Sequence, residues 1–146
     1  MTTRELAERA FETYNSGDVD AFMEFYADDA VVSYPGFPEL RGRDAIRRNW
    51  ADQRVAFPDG HITSEVLVVE GDSVADEFTY SGTSTGPIAM PDGSTLPATG
   101  RHVEMRGMQL LQMRDGKVVR HDLFLDSAVM RAQMGVEQSA FAPDGS

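Results

Sequence analysis

The sequence predicts an α+β domain, a cone-shaped, curved antiparallel β-sheet covered by N-terminal helices. Two observations predict it: apolar residues recur at helical spacing through the first third of the chain, and long runs rich in β-branched residues fill most of the remainder. The 146 residues give room for one domain with a real core and not for two of typical size. We expect a single domain over 1–137 and a loose tail over 138–146. Such a cone leaves a cavity between sheet and helices.

Composition excludes several classes of partner. The formal net charge of −11 disfavours phosphate backbones and anionic lipid headgroups, because both bind through clustered Lys and Arg. We therefore expect a small-molecule substrate, no nucleic acid and no membrane. The chain has no cysteine, which excludes disulfides and a Cys nucleophile. Its first residues lack an apolar signal region, so a cytoplasmic location is expected.

Two helices are predicted at the start of the chain. Thr2 begins a capping-box pattern, and apolar residues then recur at helical intervals until Gly17. Asp18 can cap a second, shorter helix that carries Tyr26 on its apolar side and ends near 28–29. The two helices are expected to form a hairpin.

Strands dominate the second half of the chain. The Asp115-Gly116 pair between two apolar runs predicts a tight β-hairpin, and repeated Gly and Pro predict a long loop over 83–100. A short terminal helix is expected after Asp126, with Gly135 at its end. The other predicted elements are a third helix over 44–56 and strands over 30–34, 61–70, 74–82, 101–114 and 117–125.

Short motifs along nearly the whole chain carry a family resemblance. They are Tyr14-Asn15-Ser16-Gly17-Asp18, Phe57-Pro58-Asp59-Gly60, Leu96-Pro97-Ala98-Thr99-Gly100-Arg101, Arg114-Asp115-Gly116-Lys117-Val118 and Ala132-Gln133-Met134-Gly135. In this order and spacing they resemble the SnoaL-like polyketide cyclases of the nuclear-transport-factor-2-like superfamily. The resemblance implies a cofactor-independent cyclase or isomerase that acts on a polyketide-like carbonyl compound, and a homodimer.

The residues at the family's catalytic positions differ in this sequence. The carboxylate base of the related isomerases would fall on Tyr34, and the acid and His of the cyclases would fall on Leu123 and Gln109. The water-activating trio of the related epoxide hydrolases would fall on Glu77, Thr79 and Leu123. The chemistry must therefore come from other side chains in the cavity.

Strand alternation selects the candidates for acid/base work. If Leu123 faces the cavity then His121 does too, whereas a one-residue bulge would turn Asp122 inward instead. Glu77 and Thr79 are expected to face inward on the middle strand, and a buried Glu77 is the first choice for proton transfer. The alternatives are that Glu77 pairs with an arginine at a wetter rim and that His121 only hydrogen-bonds within its strand pair.

Aromatic and polar side chains are expected to bind the substrate, although each can equally be core packing. The three histidines are widely spaced, so we expect no metal site, and no cofactor is expected. Glu104, Arg106 and Met108 alternate on the outer face, where they suit a dimer interface. The candidate substrate-binding residues are Tyr14, Tyr34, Trp50, Thr79, Gln109 and Leu123.

Two other functions stay open at this point. Acids in the pocket could activate water on an epoxide or a related electrophile, which would make the protein a hydration enzyme. Because the acid and His positions of the cyclases hold Leu123 and Gln109, the protein could also bind a small molecule without turning it over.

Overall fold

A computed structural model describes residues 1–90 and 93–135. Three helices precede most of a six-stranded sheet with strand order β2-β1-β8-β7-β4-β3, and the fold is an α+β cone of the expected type. The helices are α1 Thr3–Ser16, α2 Val19–Met23, α3 Arg43–Ala56 and α4 Ser127–Met134. The strands are β1 Tyr26–Ser33, β2 Leu40–Arg41, β3 His61–Glu70, β4 Ser73–Thr83, β5 Ile88–Ala89, β6 Thr95–Leu96, β7 His102–Arg114 and β8 Lys117–Leu125.

The caps of the N-terminal helices follow the sequence prediction, but the second helix is shorter. Thr2 Oγ1 accepts from the Glu5 backbone N–H, and Gly17 ends α1 with φ 84°. Asp18 caps α2, which ends at Met23 and not near 28–29. The expectation that Tyr26 lies on this helix is wrong, because Tyr26 opens β1 with its side chain in the core.

The sheet is mixed, whereas the sequence predicted an antiparallel one. Strands β3, β4, β7 and β8 pair antiparallel in that spatial order, and the hairpin between β7 and β8 turns at Asp115-Gly116, both with positive φ. The last strand, β8, then pairs in parallel with the first, β1. The strand that ends the sheet in sequence therefore lies in its middle.

A bulge in β8 determines which of its side chains face the helices. Gln112 pairs with Arg120 and Met113 pairs with Val118, so Val119 is the extra residue. Val118 and His121 are both buried although they lie three residues apart. Without the bulge, strict alternation after Val118 would turn Arg120 inward in place of His121.

The long loop after β4 is tied to the body of the domain and contains the small β5–β6 hairpin. Ser84 is fully buried, and its hydroxyl accepts from the Thr99 backbone N–H at 3.0 Å. The N–H groups of Thr85 and Gly86 both donate to the Ala56 carbonyl at the end of α3. These bonds hold both ends of the loop close to α3.

The helices α1, α2 and α3 pack on the concave face of the sheet. The Asn15 side chain both donates to and accepts from the backbone of Ile62, at 2.9 and 2.8 Å, which joins the end of α1 to β3. No helix within the described ranges is long and apolar enough to cross a membrane. The predicted tail over 138–146 lies outside the described residues.

Candidate functional site

A cavity lies between the three helices and the concave face of the sheet. Among the described residues that line it there is no Asp, Glu, Lys or Arg. The wall is mostly aromatic and aliphatic, with His121, Gln109 and Gln53 as polar members. The full lining is Ala10, Phe11, Tyr14, Phe22, Phe25, Tyr26, Tyr34, Trp50, Gln53, Ile62, Phe78, Tyr80, Met105, Gln109, Leu111, Val118, His121, Leu123 and Leu125.

His121 is the titratable imidazole of this cavity. Its ring is 4% exposed and lies between Tyr26 and Trp50, with ring centroids 6.2 and 5.9 Å away in stacked arrangements. The Nδ1 atom lies 2.8 Å from the Tyr26 hydroxyl, and Nε2 lies 2.7 Å from Gln109 Oε1. Both ring nitrogens are therefore paired.

The hydrogen-bond chain continues behind the cavity wall. Gln109 Nε2 donates to Asp76 Oδ2 at 2.8 Å, and Ser64 Oγ donates to Asp76 Oδ1 at 2.5 Å. Asp76 is 0% exposed but does not line the cavity. A buried carboxylate thus connects to the cavity imidazole through one amide side chain.

Burial determines the protonation states along the cavity wall. It lowers the pKa of His121 to about 3, because the charged imidazolium loses its hydration, so the ring is neutral near pH 7. Burial also raises the pKa of Tyr26, whose phenol stays protonated. A neutral imidazole beside an intact phenol is an arrangement that can accept a proton.

Trp50 and Tyr34 are among the hydrogen-bond donors on the wall that are available to a ligand. The Trp50 indole N–H is buried beside the Tyr26 hydroxyl and makes no hydrogen bond of regular geometry. Tyr34 Oη accepts from Asn49 Nδ2 at 3.0 Å, which leaves the hydroxyl hydrogen of Tyr34 free to donate. Such donors can hold a substrate carbonyl.

Tyr14 lies on the cavity wall and is held from behind. Its hydroxyl donates to Gln53 Oε1 at 2.5 Å, and the Arg54 guanidinium lies 4.7 Å from the centre of its ring. Burial raises the pKa of Tyr14, and raises the pKa of its neighbour Tyr80 to about 12. Both phenols are therefore uncharged hydrogen-bonding groups near neutral pH.

The expectation that Glu77 and Thr79 face the cavity is wrong. The buried side chains of β4 include Asp76 and Phe78, so the residues between them lie on the outer face. Glu77 forms an ion pair with Arg106 there, and Thr79 Oγ1 donates to Glu65. The alternative interpretation of Glu77, an ion pair with an arginine, matches the structure.

Asp122 also lies away from the cavity. It accepts from Arg120 Nε at 3.1 Å, and it is not among the lining residues. The bulge at Val119 precedes His121, so alternation is regular from His121 onward and Asp122 stays outside. The other predicted residues lie on the cavity wall, namely Tyr14, Tyr34, Trp50, Gln109, His121 and Leu123.

Asp76 and Tyr26 are among the residues of the site that sequence reasoning missed. Asp76 shares its strand face with Val74, Phe78 and Tyr80, and this alternation of apolar residues was the signal that placed it inside. Tyr26 was missed because the apolar pattern before it suggested a longer helix. No group of three or more His, Asp or Glu side chains in residues 1–90 and 93–135 is arranged to hold a metal ion.

The fold and the cavity define a class, the cone-shaped α+β domains that enclose a cavity between a curved sheet and N-terminal helices. A family model described as the SnoaL-like domain matches residues 7–121. The chain belongs to the SnoaL-like domain family.

Individual relatives agree with this assignment. Aklanonic acid methyl ester cyclase DnrD of Streptomyces peucetius is 28% identical over 141 residues, and the match covers 92% of this chain and 92% of DnrD. The structure of IdmH from Streptomyces antibioticus, provisionally a polyketide cyclase, is 31% identical with a TM-score of 0.75 and covers 93% of this chain and 100% of its own. A provisional SnoaL-like polyketide cyclase from Jannaschia sp. CCS1 has a TM-score of 0.79 at 24% identity, covering 92% and 93%, and shows the shared fold.

Proposed function

We propose that the protein is a cofactor-independent cyclase or isomerase that moves a proton within a polyketide-like carbonyl substrate. The observation that carries the proposal is the neutral, buried imidazole of His121 in an aromatic cavity, next to the indole N–H of Trp50, which makes no hydrogen bond of regular geometry. The first group can take a proton from carbon, and the second can stabilise the oxygen on which negative charge develops.

The chemistry of the wall favours an uncharged substrate. A free carboxylate would lose its hydration in this cavity without meeting a cation, because the described lining has no Lys or Arg. The ring of Phe22 packs edge to face with the rings of Tyr14, Tyr26 and Trp50. The four rings together present a surface suited to a flat, conjugated molecule. The relative DnrD is a cyclase for an ester, which agrees with this preference.

The proton can be returned within one reaction. A carbon acid between two carbonyl groups gives its proton to the Tyr26 hydroxyl oxygen as that hydroxyl passes its own hydrogen to His121 Nδ1. The resulting enolate carbon attacks a second carbonyl of the same molecule and forms the ring bond. The alkoxide oxygen then takes the proton back from the imidazolium, so substrate and product are isomers.

The hydration alternative has less support. Water activation in the related hydrolases uses carboxylates, and the matching positions place Glu77 and Thr79 on the outer face and Leu123 in the cavity. The alternative of a binding protein without turnover keeps one supporting observation, the apolar residue Leu123 at the cyclase acid position. Activity measurements decide between catalysis and binding.

The proposal includes a homodimer, formed through the outer face of the sheet. Val66, Glu77, Met108 and Phe124 are successive cross-strand neighbours on β3, β4, β7 and β8. The three apolar side chains of this outer row are 52–53% exposed, and Arg106 neutralises Glu77 within it. A second copy of the same face can cover the row. A cytoplasmic location is likewise part of the proposal.

The test is conversion of an uncharged linear aromatic polyketide ester to a cyclised isomer of equal mass, followed by chromatography and mass spectrometry. His121→Asn removes the proposed base, so the rate should fall by about 100-fold or more. Trp50→Phe keeps an aromatic ring and removes the N–H, and we expect a loss of about tenfold or more in kcat.

The matched control is Glu77→Gln, which changes a carboxylate on the outer face and should leave the rate unchanged. Tight ligand binding with no turnover by any substrate of the series would support the binding protein instead. Incorporation of ¹⁸O from water into the product would support hydration.

A further inference from the structure

We infer that Asp76, acting through Gln109, is a positioning residue that holds His121 in the tautomer protonated at Nε2. The tautomer is a property of the free protein, and its catalytic consequence rests on the proposed function. In this tautomer Nδ1 carries the lone pair and points toward Tyr26 and the cavity. In this way Asp76 keeps Nδ1, the ring nitrogen nearest the cavity, unprotonated and able to accept a proton.

Asp76 accepts hydrogen bonds at both of its carboxylate oxygens. One bond comes from the Ser64 hydroxyl at 2.5 Å and one from Gln109 Nε2 at 2.8 Å. Both partners donate, so both oxygens of Asp76 act as acceptors and the end of the Gln109 amide that faces Asp76 is its NH₂. Asp76 is 0% exposed, so these partners take the place of hydration.

The orientation of the Gln109 amide follows from its bond to this carboxylate. Because Nε2 faces the carboxylate, Oε1 must face the ring 2.7 Å away. A carbonyl oxygen only accepts, so His121 Nε2 must carry a hydrogen. The neutral ring then has no hydrogen on Nδ1, which accepts from the Tyr26 hydroxyl at 2.8 Å. Each donor along the chain points toward Asp76.

The amide also limits what Asp76 can do. A proton could cross Gln109 only through the high-energy imidic acid form of the amide, so Asp76 does not receive the substrate proton. Its role is to orient Gln109 and, through the Gln109 amide, to stabilise the imidazolium that forms when His121 is protonated.

The orientation of the Gln109 amide matters because the reversed orientation would reverse the direction of the hydrogen bonds at His121. If Gln109 turned over, its NH₂ would donate to His121 Nε2, and the ring would carry its hydrogen on Nδ1. That nitrogen would donate to the Tyr26 oxygen, and the Tyr26 hydroxyl would point its hydrogen elsewhere. The cavity would then present a donor where the proposed reaction needs a base.

The test is ¹⁵N NMR of the ring nitrogens in the protein without ligand. His121 is distinguished from His61 and His102 because both of those are exposed and His121 is buried with a pKa of about 3. We expect a pyrrole-type Nε2 and a pyridine-type Nδ1 in the wild type. The reverse pattern in the wild type would overturn the inference whatever the variants do.

Asp76→Asn removes the carboxylate at nearly constant shape. The asparagine can donate to or accept from Gln109, so both amide orientations become possible, and we expect a measurable population of the Nδ1-protonated tautomer. If the tautomer of this variant is unchanged, Asp76 does not position His121. The control is Glu65→Gln, which removes the charge of a carboxylate close to Asp76 and should keep the wild-type tautomer.

A swap of the two side chains provides a rescue. In the double variant Asp76→Asn, Gln109→Glu, the carboxylate introduced at position 109 accepts from His121 Nε2, and the asparagine at position 76 donates to its other oxygen. We expect the Nε2-protonated tautomer to return. We also expect the double variant to react at least about tenfold faster than Asp76→Asn. A structural role alone predicts no such recovery.

The two proposals fail in different ways. If the tautomer changes as expected but no form of the protein cyclises a substrate, the inference is supported and the proposed function is contradicted. If the wild type cyclises the substrate and Asp76→Asn loses this activity without any change of tautomer, the inference is contradicted and the proposed function is supported. Circular dichroism and thermal unfolding verify that each variant is folded before its spectrum is used.

Discussion

His121 owes its protonation state to burial and not to a charged neighbour. Loss of hydration in a cavity without charged walls lowers its pKa, and the Gln109 amide that separates it from Asp76 is itself neutral. The imidazole is consequently neutral over the whole physiological range. The lowered pKa also weakens the ring as a base, so a proton taken from the substrate is held only briefly and is readily returned to the product oxygen.

The same burial predicts how stability depends on pH. The pKa of His121 is lower in the folded protein than in the unfolded chain, so the stabilisation is present above about pH 6.5 and is lost as pH falls toward 3. We expect the unfolding free energy to decrease by up to about 1.4 kcal/mol per pH unit in this window from this group alone. Urea unfolding at successive pH values measures it.

The comparison that isolates this effect is His121→Asn. Asp76 opposes the trend, because its pKa is raised by burial and its protonation on acidification favours the folded state. Since the variant keeps Asp76, the difference in stability between wild type and variant should shrink as pH falls from about 7 to about 4. Parallel curves would mean that His121 is not a buried neutral base.

At the scale of single elements, the sequence specified most helices and strands but not always their faces. The bounds predicted for β3 and β8 match the structure. The face of β4 was misassigned because positions 77 and 79 were transferred from related hydrolases, although Phe78 and Tyr80 marked the opposite parity. Local apolar alternation was the better guide, since burial decides register.

The bulge in β8 could not be predicted from residue types. Val118, Val119 and Arg120 are all compatible with a regular strand, and nothing in this run marks an extra residue. The bulge follows from pairing with β7, a partner whose register the sequence does not state. The inward position of His121 was therefore open between two alternatives until the strands were paired.

The loop after β4 gives a prediction at this scale. A Cβ atom at Gly86 would lie 1.8 Å from the Val55 carbonyl oxygen, so Gly86→Ala must move the loop away from the end of α3. We expect a loss of about 1–3 kcal/mol in stability and faster proteolysis within 83–100. Thermal unfolding and limited proteolysis measure the two effects.

Thr85→Ala is the matched control for the loop. The Thr85 side chain is exposed, and the bond of this residue to Ala56 comes from the backbone, which the substitution keeps. This variant should behave as the wild type in both measurements. Equal behaviour of Gly86→Ala would show that the loop is not docked on α3 in solution.

For the whole molecule, the outer row of Val66, Met108 and Phe124 should control assembly. Phe124→Lys places a charge in the proposed interface and keeps the cavity side of β8 unchanged. We expect this variant to be a monomer at micromolar concentration where the wild type is a dimer, as measured by light scattering during size-exclusion chromatography. The control is Val129→Lys, which changes an exposed apolar residue on α4 outside the row. A monomeric wild type would contradict the dimer proposal.

The overall architecture was predictable where it depends on local pattern, as in the helix caps and the Asp115-Gly116 hairpin. The parallel pairing of β1 with β8 was not, because it joins segments about 90 residues apart, and no local signal names a distant partner. The cavity itself was expected from the predicted cone of sheet and helices. That the described cavity wall lacks charged residues became clear only when the structure showed which side chains of β4 face inward.

The central position of β8 has a consequence for the synthesis of the protein. Ribosomes deliver the chain from its N-terminus, so β1 and β7 both emerge before the strand that joins them exists. Until residues 117–125 leave the exit tunnel, the nascent domain has two unpaired strand edges and no enclosed cavity. Folding then depends on contacts of high sequence separation, which form slowly. Premature termination anywhere before β8 therefore yields a product that exposes sheet edges and is a substrate for chaperones and proteases.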